Sequence, residues 1–119
     1  SELALETCKK AAVRYHEVNQ KLQERPKNLE QLVEYVRSFK RIGGEVADLE
    51  ALKTSVEDMY ATLAQHNIRS APADDFQRDL MSQRAMTFEN DAMPGAQFFV
   101  NEQEDSACTE VASRYNAAE

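Results

Sequence analysis

Apolar side chains recur at steps of four and three residues along the first part of the chain. They are Ala4, Cys8, Ala11, Tyr15, Val18 and Leu22. This spacing places them on one face of a helix, and it is typical of a helix that packs along another helix. The first three of these side chains are small, so we expect the neighbouring helix to approach closely there. Pro26 restricts the conformation of Arg25 and is predicted to end the helix.

Asn28 is predicted to begin a second amphipathic helix by capping its first turn. Gln31 follows three residues later, at the reciprocal position of a capping box. The apolar stripe of this run is Leu29, Leu32, Val36 and Phe39, widened by Val33. We therefore expect a helix that starts at the cap and buries this stripe.

A third run has the most regular spacing in the chain. Its apolar positions are Leu49, Leu52, Val56, Met59 and Leu63. Asn67 tolerates a left-handed conformation, and Ile68 beyond it is placed to fold back on Leu63, as in a Schellman motif. The pattern predicts a helix with His66 in its last turn, and Pro72 prevents the helix from resuming.

The charges around Gly43-Gly44 bear on whether the second and third runs are one helix or two. Cations precede the glycines and acids follow them: Arg37, Lys40 and Arg41, then Glu45, Asp48 and Glu50. Cations favour the last turn of a helix and acids the first, so this order favours a helical hairpin with its corner at the glycines. One continuous rod stays open, because apolar positions keep helical spacing through the break. Two interior glycines would cost such a rod only about 2 kcal/mol relative to alanine.

The remainder of the chain is less regular. Residues 73 to 90 are predicted to be helical, with Phe76, Leu80 and either Gln83 or Ala85 on one face. Met93-Pro94-Gly95 is predicted to form a turn or loop. A final helix would begin with Asp105 or Ser106 as its cap, and its apolar face would be Cys108, Val111, Ala112 and Tyr115.

These elements predict an all-α fold, an antiparallel helical bundle. Residues 1–72 form a three-helix, up-down-up bundle segment in this interpretation. Residues 73–119 form an acidic, partly helical C-terminal segment with one or two helices. A chain of 119 residues corresponds to one domain or a piece of one, and its start at Ser1 suggests a processed product or an excerpt.

The charge and the cysteines limit the classes of partner. The net charge is −7, and residues 67–119 account for −6 of it. This balance argues against nucleic acid, because phosphate binding needs clustered lysine and arginine. No apolar run approaches the roughly 20 residues that span a bilayer. The two cysteines, Cys8 and Cys108, are expected to be reduced thiols of an intracellular protein.

Candidate chemical groups are few, and each has a structural interpretation. Asp74, Asp75 and Asp79 come nearest to a metal-binding cluster, but adjacent carboxylates on a helix diverge by about 100°, so we interpret them as a solvated helix start. His16 and His66 have no partner at ligand spacing. Cys8 lies on the apolar stripe of the first helix and is expected to be a buried small hydrophobe.

No phosphate-binding loop, dinucleotide fingerprint or nucleophile elbow occurs in the sequence. We therefore expect no enzyme, no catalytic or metal-binding residue, no cofactor and no small-molecule substrate. The partners expected are proteins bound through helix packing.

Two further clusters invite a binding role. Arg37, Lys40 and Arg41 beside Tyr35 and Phe39 are too few cations for nucleic acid, and we interpret them as a helix terminus. The apolar trio Phe98-Phe99-Val100 is either an exposed docking motif or a plug over one end of the bundle. The plug is favoured, because an exposed apolar trio lowers solubility.

One stretch of the chain resembles a known family. Its residues are Asn28-Leu29-Glu30-Gln31-Leu32, Tyr35-Val36, Phe39, Val46, Leu49, Leu52, Val56, Met59-Tyr60, Leu63 and His66-Asn67-Ile68. This pattern, over residues 20–72, resembles the helical tail segment that precedes the linker in dynein heavy chains.

The resemblance implies a non-catalytic rod that serves assembly and force transmission in a microtubule motor. The ATPase would lie elsewhere in the parent chain, and other heavy chains or accessory chains would be the partners. The location would be cytoplasmic or cytoskeletal, including the axoneme of a cilium. The alternative is a free-standing helical adaptor or scaffold that binds a partner through helix packing and its acidic C-terminal half.

Overall fold

Three helices form an antiparallel bundle in the computed structural model, which describes residues 2–104. The first two are α1, Glu2–Gln23, and α2, Leu29–Gln65. The third begins as α3, Pro72–Thr87, passes through a π-helical turn at Phe88–Ala92 and continues as helix over residues 93–104. Residues 72–104 are called the third helix below. The predicted all-α bundle is confirmed, whereas the helix predicted beyond Asp105 lies outside the described residues.

Contacts at the two ends of the bundle define its up-down-up direction. Where α1 ends and α2 begins, the Tyr35 hydroxyl donates to the Leu22 carbonyl over 2.6 Å. At the opposite end, the Tyr60 hydroxyl donates to the carboxylate of Asp74, at the start of α3, over 2.5 Å. The third helix therefore runs parallel to α1 and antiparallel to α2. Since α1 contacts both neighbours, the buried core extends across the boundary predicted at residue 72.

The apolar stripe predicted for α1 is buried along its whole length. All six of its side chains lie in the core, joined by Ala12 and by the polar Asn19. The helix ends at Gln23, three residues before Pro26. Because the small side chains of this stripe fill little space, α1 packs in the groove between α2 and the third helix.

The favoured hairpin at Gly43-Gly44 is wrong, because α2 continues as one helix of 37 residues. Neither glycine has a positive φ. Phe39, Ile42 and Leu49 are buried on both sides of the pair. The packing of α1 and the third helix along this stripe offsets the roughly 2 kcal/mol that two interior glycines cost. The cations at positions 37, 40 and 41 lie exposed in the middle of the helix, so their interpretation as a helix terminus is wrong as well.

The predicted Asn28 cap and the C-terminal closure of α2 are confirmed, but the reciprocal bond of the capping box is shifted by one residue. The Asn28 side chain accepts a hydrogen bond from the Gln31 amide at 2.8 Å, while the Gln31 side chain accepts from the amide of Lys27 at 2.9 Å. At the other end Asn67 has a φ of 57°. The Ile68 amide donates to the Leu63 carbonyl at 2.9 Å, which closes the Schellman motif after His66. The apolar stripe is displaced at its start, however, since Leu29 and Val33 are exposed.

The third helix differs most from the prediction. Its buried apolar positions are Met81, Ala85, Phe88, Ala92, Ala96 and Val100, whereas Phe76 is exposed. The last four recur every four residues, a longer step than the 3.6 of an α-helix, and the wider π-helical turn accommodates the extra length.

Met93-Pro94-Gly95 is helical, so the predicted turn or loop is wrong. A proline inside an α-helix collides with the carbonyl four residues earlier and donates no hydrogen bond. The π-helical turn ends at Ala92, two residues before Pro94, and the Met93 amide bonds to the Phe88 carbonyl, five residues earlier. A turn of this width contains one more residue than an α-helical turn and relieves the collision between the proline ring and the preceding turn. The wide turn therefore lets the helix continue to residue 104.

Candidate protein-interaction groove

A groove runs between α1 and α2 on the side away from the third helix. It consists of two cavities placed end to end, of about 550 and about 710 Å³. The first lies between α1 residues 10–17 and α2 residues 45–52, and the second lies between α1 residues 3–4 and α2 residues 51–63. We call the two together the α1–α2 groove.

The floor of the α1–α2 groove is apolar. Leu49 is buried beneath it, and Leu52, Met59 and Leu63 are only partly covered by the bundle. On the α1 side, Leu3 is 68% exposed and Val13 is 52% exposed. Contiguous apolar surface of this kind, bordered by polar side chains, marks sites where proteins bind.

The dimensions of the groove suit a helix. The α2 residues that line it, 45–63, extend over about 27 Å at 1.5 Å per residue. A helix of about 18 residues has the same length. Helix-in-groove binding uses an apolar floor of this type together with anchors that repeat every three or four residues. The groove can therefore hold one further helix beside α1 and α2.

The two walls of the groove carry different charges. The α2 wall is acidic, with Glu45, Asp48 and Asp58. The α1 wall is mixed, with Lys10, Arg14 and Glu17. The Arg14 guanidinium lies 2.5 Å from the Glu45 carboxylate and 3.2 Å from the Glu17 carboxylate. Arg14 therefore holds α1 against α2 near one end of the groove.

A buried polar cluster closes the end of the bundle where α3 begins. Asp74 accepts the hydrogen bond from Tyr60 and is buried, so its predicted exposure to solvent is wrong. The Arg78 guanidinium lies 4.5 Å from the centroid of the Tyr60 ring. Asp75 and Asp79, in contrast, are exposed. The three acids do not converge on one point, and the buried one joins α2 to the start of α3.

Cys8 lies in the same region and is fully buried, as predicted. Burial raises the pKa of its thiol, and the nearby Arg78 opposes this rise in part. A thiol with a raised pKa forms little of the nucleophilic thiolate at neutral pH. Cys8 thus contributes to packing, while Cys108 lies outside the described residues.

A second cluster closes the opposite end of the bundle around Arg25. Its guanidinium donates to the Leu22 carbonyl and, over 2.7 Å, to the Tyr35 hydroxyl. The same guanidinium lies 5.2 Å from the centroid of the Phe99 ring, and the rings of Tyr35 and Phe99 meet edge to face at 5.3 Å. No sequence signal indicated Arg25, because it lies beyond the end of α1.

The apolar trio at residues 98–100 is divided by this arrangement. Phe99 packs against the Arg25 cluster and Val100 is buried, as the plug interpretation predicts. Phe98 points away and is 66% exposed. The trio is therefore a plug with one exposed residue.

A polar contact also joins α1 to the third helix near the π-helical turn. The Asn19 side-chain amide donates to the Arg84 carbonyl at 3.0 Å, and the Arg84 guanidinium donates to the Ala12 carbonyl at 2.9 Å. The oxygen of the Asn19 side chain is buried, and it has no hydrogen-bond partner among residues 2–104. These bonds fix the register between the two parallel helices.

Because of the buried tyrosines, the free energy of unfolding is expected to depend on pH in the alkaline range. Burial raises the pKa of Tyr15 from about 10 to about 12, helped by the nearby Glu89, and burial also raises the pKa of Tyr35 and Tyr60. Between these two pH values the unfolded chain binds fewer protons at Tyr15 than the native chain does. The free energy of unfolding is therefore expected to fall as the pH rises from about 10 to about 12, by up to about 1.4 kcal/mol per pH unit for Tyr15.

Urea denaturation at a series of pH values from about 8 to 12 measures this fall. The Tyr15→Phe variant lacks the ionising group, so its curve should fall less steeply above pH 10 than that of the wild type. Parallel curves for the two proteins would show that Tyr15 is not the group responsible.

The sequence pattern indicates only part of the groove. The helical spacing of Leu52, Met59 and Leu63 predicts an apolar stripe, but it does not indicate that the outer edges of these side chains stay open. Leu3 and Val13 were overlooked, although an apolar residue outside the main stripe of an amphipathic helix is a usable signal for a second contact face.

The remaining candidate residues do not form a site. His16 and His66 lie on different helices, and the part of the chain from residue 2 to residue 104 contains no group of three histidine, cysteine or acidic side chains placed to hold a metal ion. Within the same range, no helix has the length and apolar character needed to cross a bilayer. Comparison of the chain with models of known families, with curated proteins and with solved structures found no match.

Proposed function

We propose that this protein is a non-catalytic helical module that binds a partner protein by packing a helix of that partner into the α1–α2 groove. The observation that carries this proposal is the apolar floor formed by Leu52, Met59 and Leu63, which stays partly open along about 17 Å of α2. A fourth helix placed there would cover the open side of these residues together with Leu3 and Val13.

The use of the reactive side chains in packing supports this proposal. Tyr60 and Asp74 bond to each other, Arg25 bonds to Tyr35, and Cys8 is buried. Each of these groups therefore stabilises an end of the bundle. This packing does not account for the exposed apolar surface of the groove, and binding of a helix would account for it.

The similarity to dynein tails suggests a particular setting for this module. In that setting the chain would be part of a motor heavy chain, and the helix bound in the groove would come from another heavy chain or from an accessory chain. A free-standing adaptor would use the same groove on an independent partner. Thermal unfolding followed by circular dichroism separates the two: an adaptor should unfold in one cooperative transition, whereas an excised tail segment should unfold broadly or aggregate.

Titration with a helical peptide tests the groove itself. The probe is an 18-residue peptide with a leucine stripe and neutral glutamine flanks, and the readout is isothermal titration calorimetry. Val13→Glu places a charge at the groove, and burying that charge on binding should weaken the affinity at least tenfold. Phe76→Glu is the matched control, because Phe76 is also an exposed apolar residue, 63% against 52% for Val13, and lies on α3 outside the groove. Equal weakening by the two substitutions, or no binding by the wild type, would refute the proposed site.

A further inference from the structure

We infer that the helix bound in the α1–α2 groove carries lysine or arginine along the edge that faces α2. This inference rests on the proposed function and deepens it, since it states the chemistry of the partner. It follows from the charges of the two walls and from the spacing of the acidic side chains along α2.

The acidic wall has unpaired charge where the groove is open. Glu45 is occupied by Arg14, but in the structure over residues 2–104 neither Asp48 nor Asp58 forms an ion pair. Lys10 is the remaining cation of the opposite wall. A partner with a basic edge along α2 would therefore find complementary charge, and a partner with an acidic edge would meet repulsion.

The spacing of the two aspartates restricts the partner further. Asp48 and Asp58 are ten residues apart on a continuous helix, which corresponds to about 15 Å. Three turns of a partner helix extend over about 16 Å, so basic side chains about eleven residues apart would reach both acids. Leucine-sized side chains between them would lie over Leu52 and Met59.

Side-chain contacts cross the other two helix pairs. Lys53 on α2 lies 3.8 Å from Glu89 on the third helix, and Arg78 covers the Tyr60 ring. Between α1 and the third helix, Asn19 donates to the Arg84 carbonyl and the Arg84 guanidinium donates to the Ala12 carbonyl. In contrast, the α1–α2 groove is bridged by Arg14 at one end and is open from Asp48 onwards.

A second copy of this chain is a poorer occupant than a basic helix. In a symmetric dimer the same patch of each copy would face the other, so two surfaces that each carry an excess of acids would meet. The excess of acids over bases at the groove makes that arrangement repulsive. Self-association is therefore an outcome that the experiment must be able to detect.

Two peptides that differ in flanking charge test the inference. Both have 18 residues and the same leucine stripe, and one carries lysine and the other glutamate at two flanking positions eleven residues apart. Calorimetric titration at low salt should show at least tenfold tighter binding of the lysine peptide, since two favourable ion pairs replace two repulsive ones. The Asp48→Lys/Asp58→Lys variant should reverse this preference.

A matched variant distinguishes the effect of the two groove acids from the effect of the net charge of the protein. Asp75→Lys/Asp79→Lys changes the net charge by the same amount at two exposed acids outside the groove, so the preference for the lysine peptide should persist in it. If the wild type binds both peptides equally, the charge inference fails while the helix-binding groove stands. If it binds neither peptide, the proposed function fails as well. Sedimentation of the protein alone that shows a dimer, lost in Val13→Glu, would overturn the inference in favour of a second copy.

Discussion

Replacing Tyr15 with alanine is expected to lower the free energy of unfolding by about 4 kcal/mol. The side chain is 1% exposed and contacts both neighbours of α1. Its ring meets that of Phe88 edge to face, with centroids 5.8 Å apart, and its hydroxyl donates to the Leu49 carbonyl at 3.1 Å. The substitution removes the aromatic contact and the hydrogen bond together, and it leaves a cavity at the point where all three helices meet.

Tyr15→Phe separates the two contributions. It keeps the ring against Phe88 and removes only the hydroxyl, so we expect a loss of about 1 kcal/mol. Urea denaturation followed by circular dichroism measures both values. A loss below about 1 kcal/mol for Tyr15→Ala would mean that the third helix does not pack on α1 at this position, and the bundle described above would be wrong.

Replacing Gly44 with proline is expected to cost about 3 kcal/mol or more, whereas replacing it with alanine should stabilise the protein by about 1 kcal/mol. Gly44 is exposed inside α2, and a Cβ atom added there would meet no other atom within 4 Å. Alanine therefore keeps the helix and lowers the entropy of the unfolded chain. Proline would remove a helical hydrogen bond and collide with the preceding turn.

Gly43→Ala provides an independent test of the same helix. Its added Cβ would lie 3.7 Å from the Cε atom of Met93, an ordinary van der Waals distance, so stabilisation is expected here too. Chemical denaturation of the variants shows whether each substitution raises or lowers the free energy of unfolding. If the chain turned at the glycines with a positive φ, alanine would be strained and would destabilise the protein. Destabilisation by both alanine substitutions would thus favour the hairpin over the continuous helix.

Local interactions could be inferred from the sequence alone. The apolar stripe of α1, the cap at Asn28 and the Schellman motif at Ile68 each depend on residues within a few positions of one another. Such features have the same physical cause in an isolated helix and in a folded protein. For this reason the stripe, the cap and the Schellman motif lie at the positions that the sequence predicts.

Only part of the candidate site could be predicted from the sequence. The apolar character of Leu52, Met59 and Leu63 is evident from their spacing, and the acidity of Asp48 and Asp58 is evident from their identity. Which edge of the stripe stays open depends on where α1 and the third helix lie, and neither position follows from local pattern. The burial of Asp74 has the same origin, because its partner Tyr60 is supplied by another helix.

The sequence by itself determined that the chain forms amphipathic helices, where most of them start and end, and that its second half is acidic. Only the tertiary structure decided that α2 runs through Gly43-Gly44, that the third helix runs through Pro94 and that a groove stays open between α1 and α2. The physical reason is one of magnitude. A glycine costs about 1 kcal/mol and a proline about 3 kcal/mol in a helix, whereas burial of a single large apolar side chain contributes about 1.5–3 kcal/mol. Packing against neighbouring helices therefore outweighs the local signals that would otherwise end a helix.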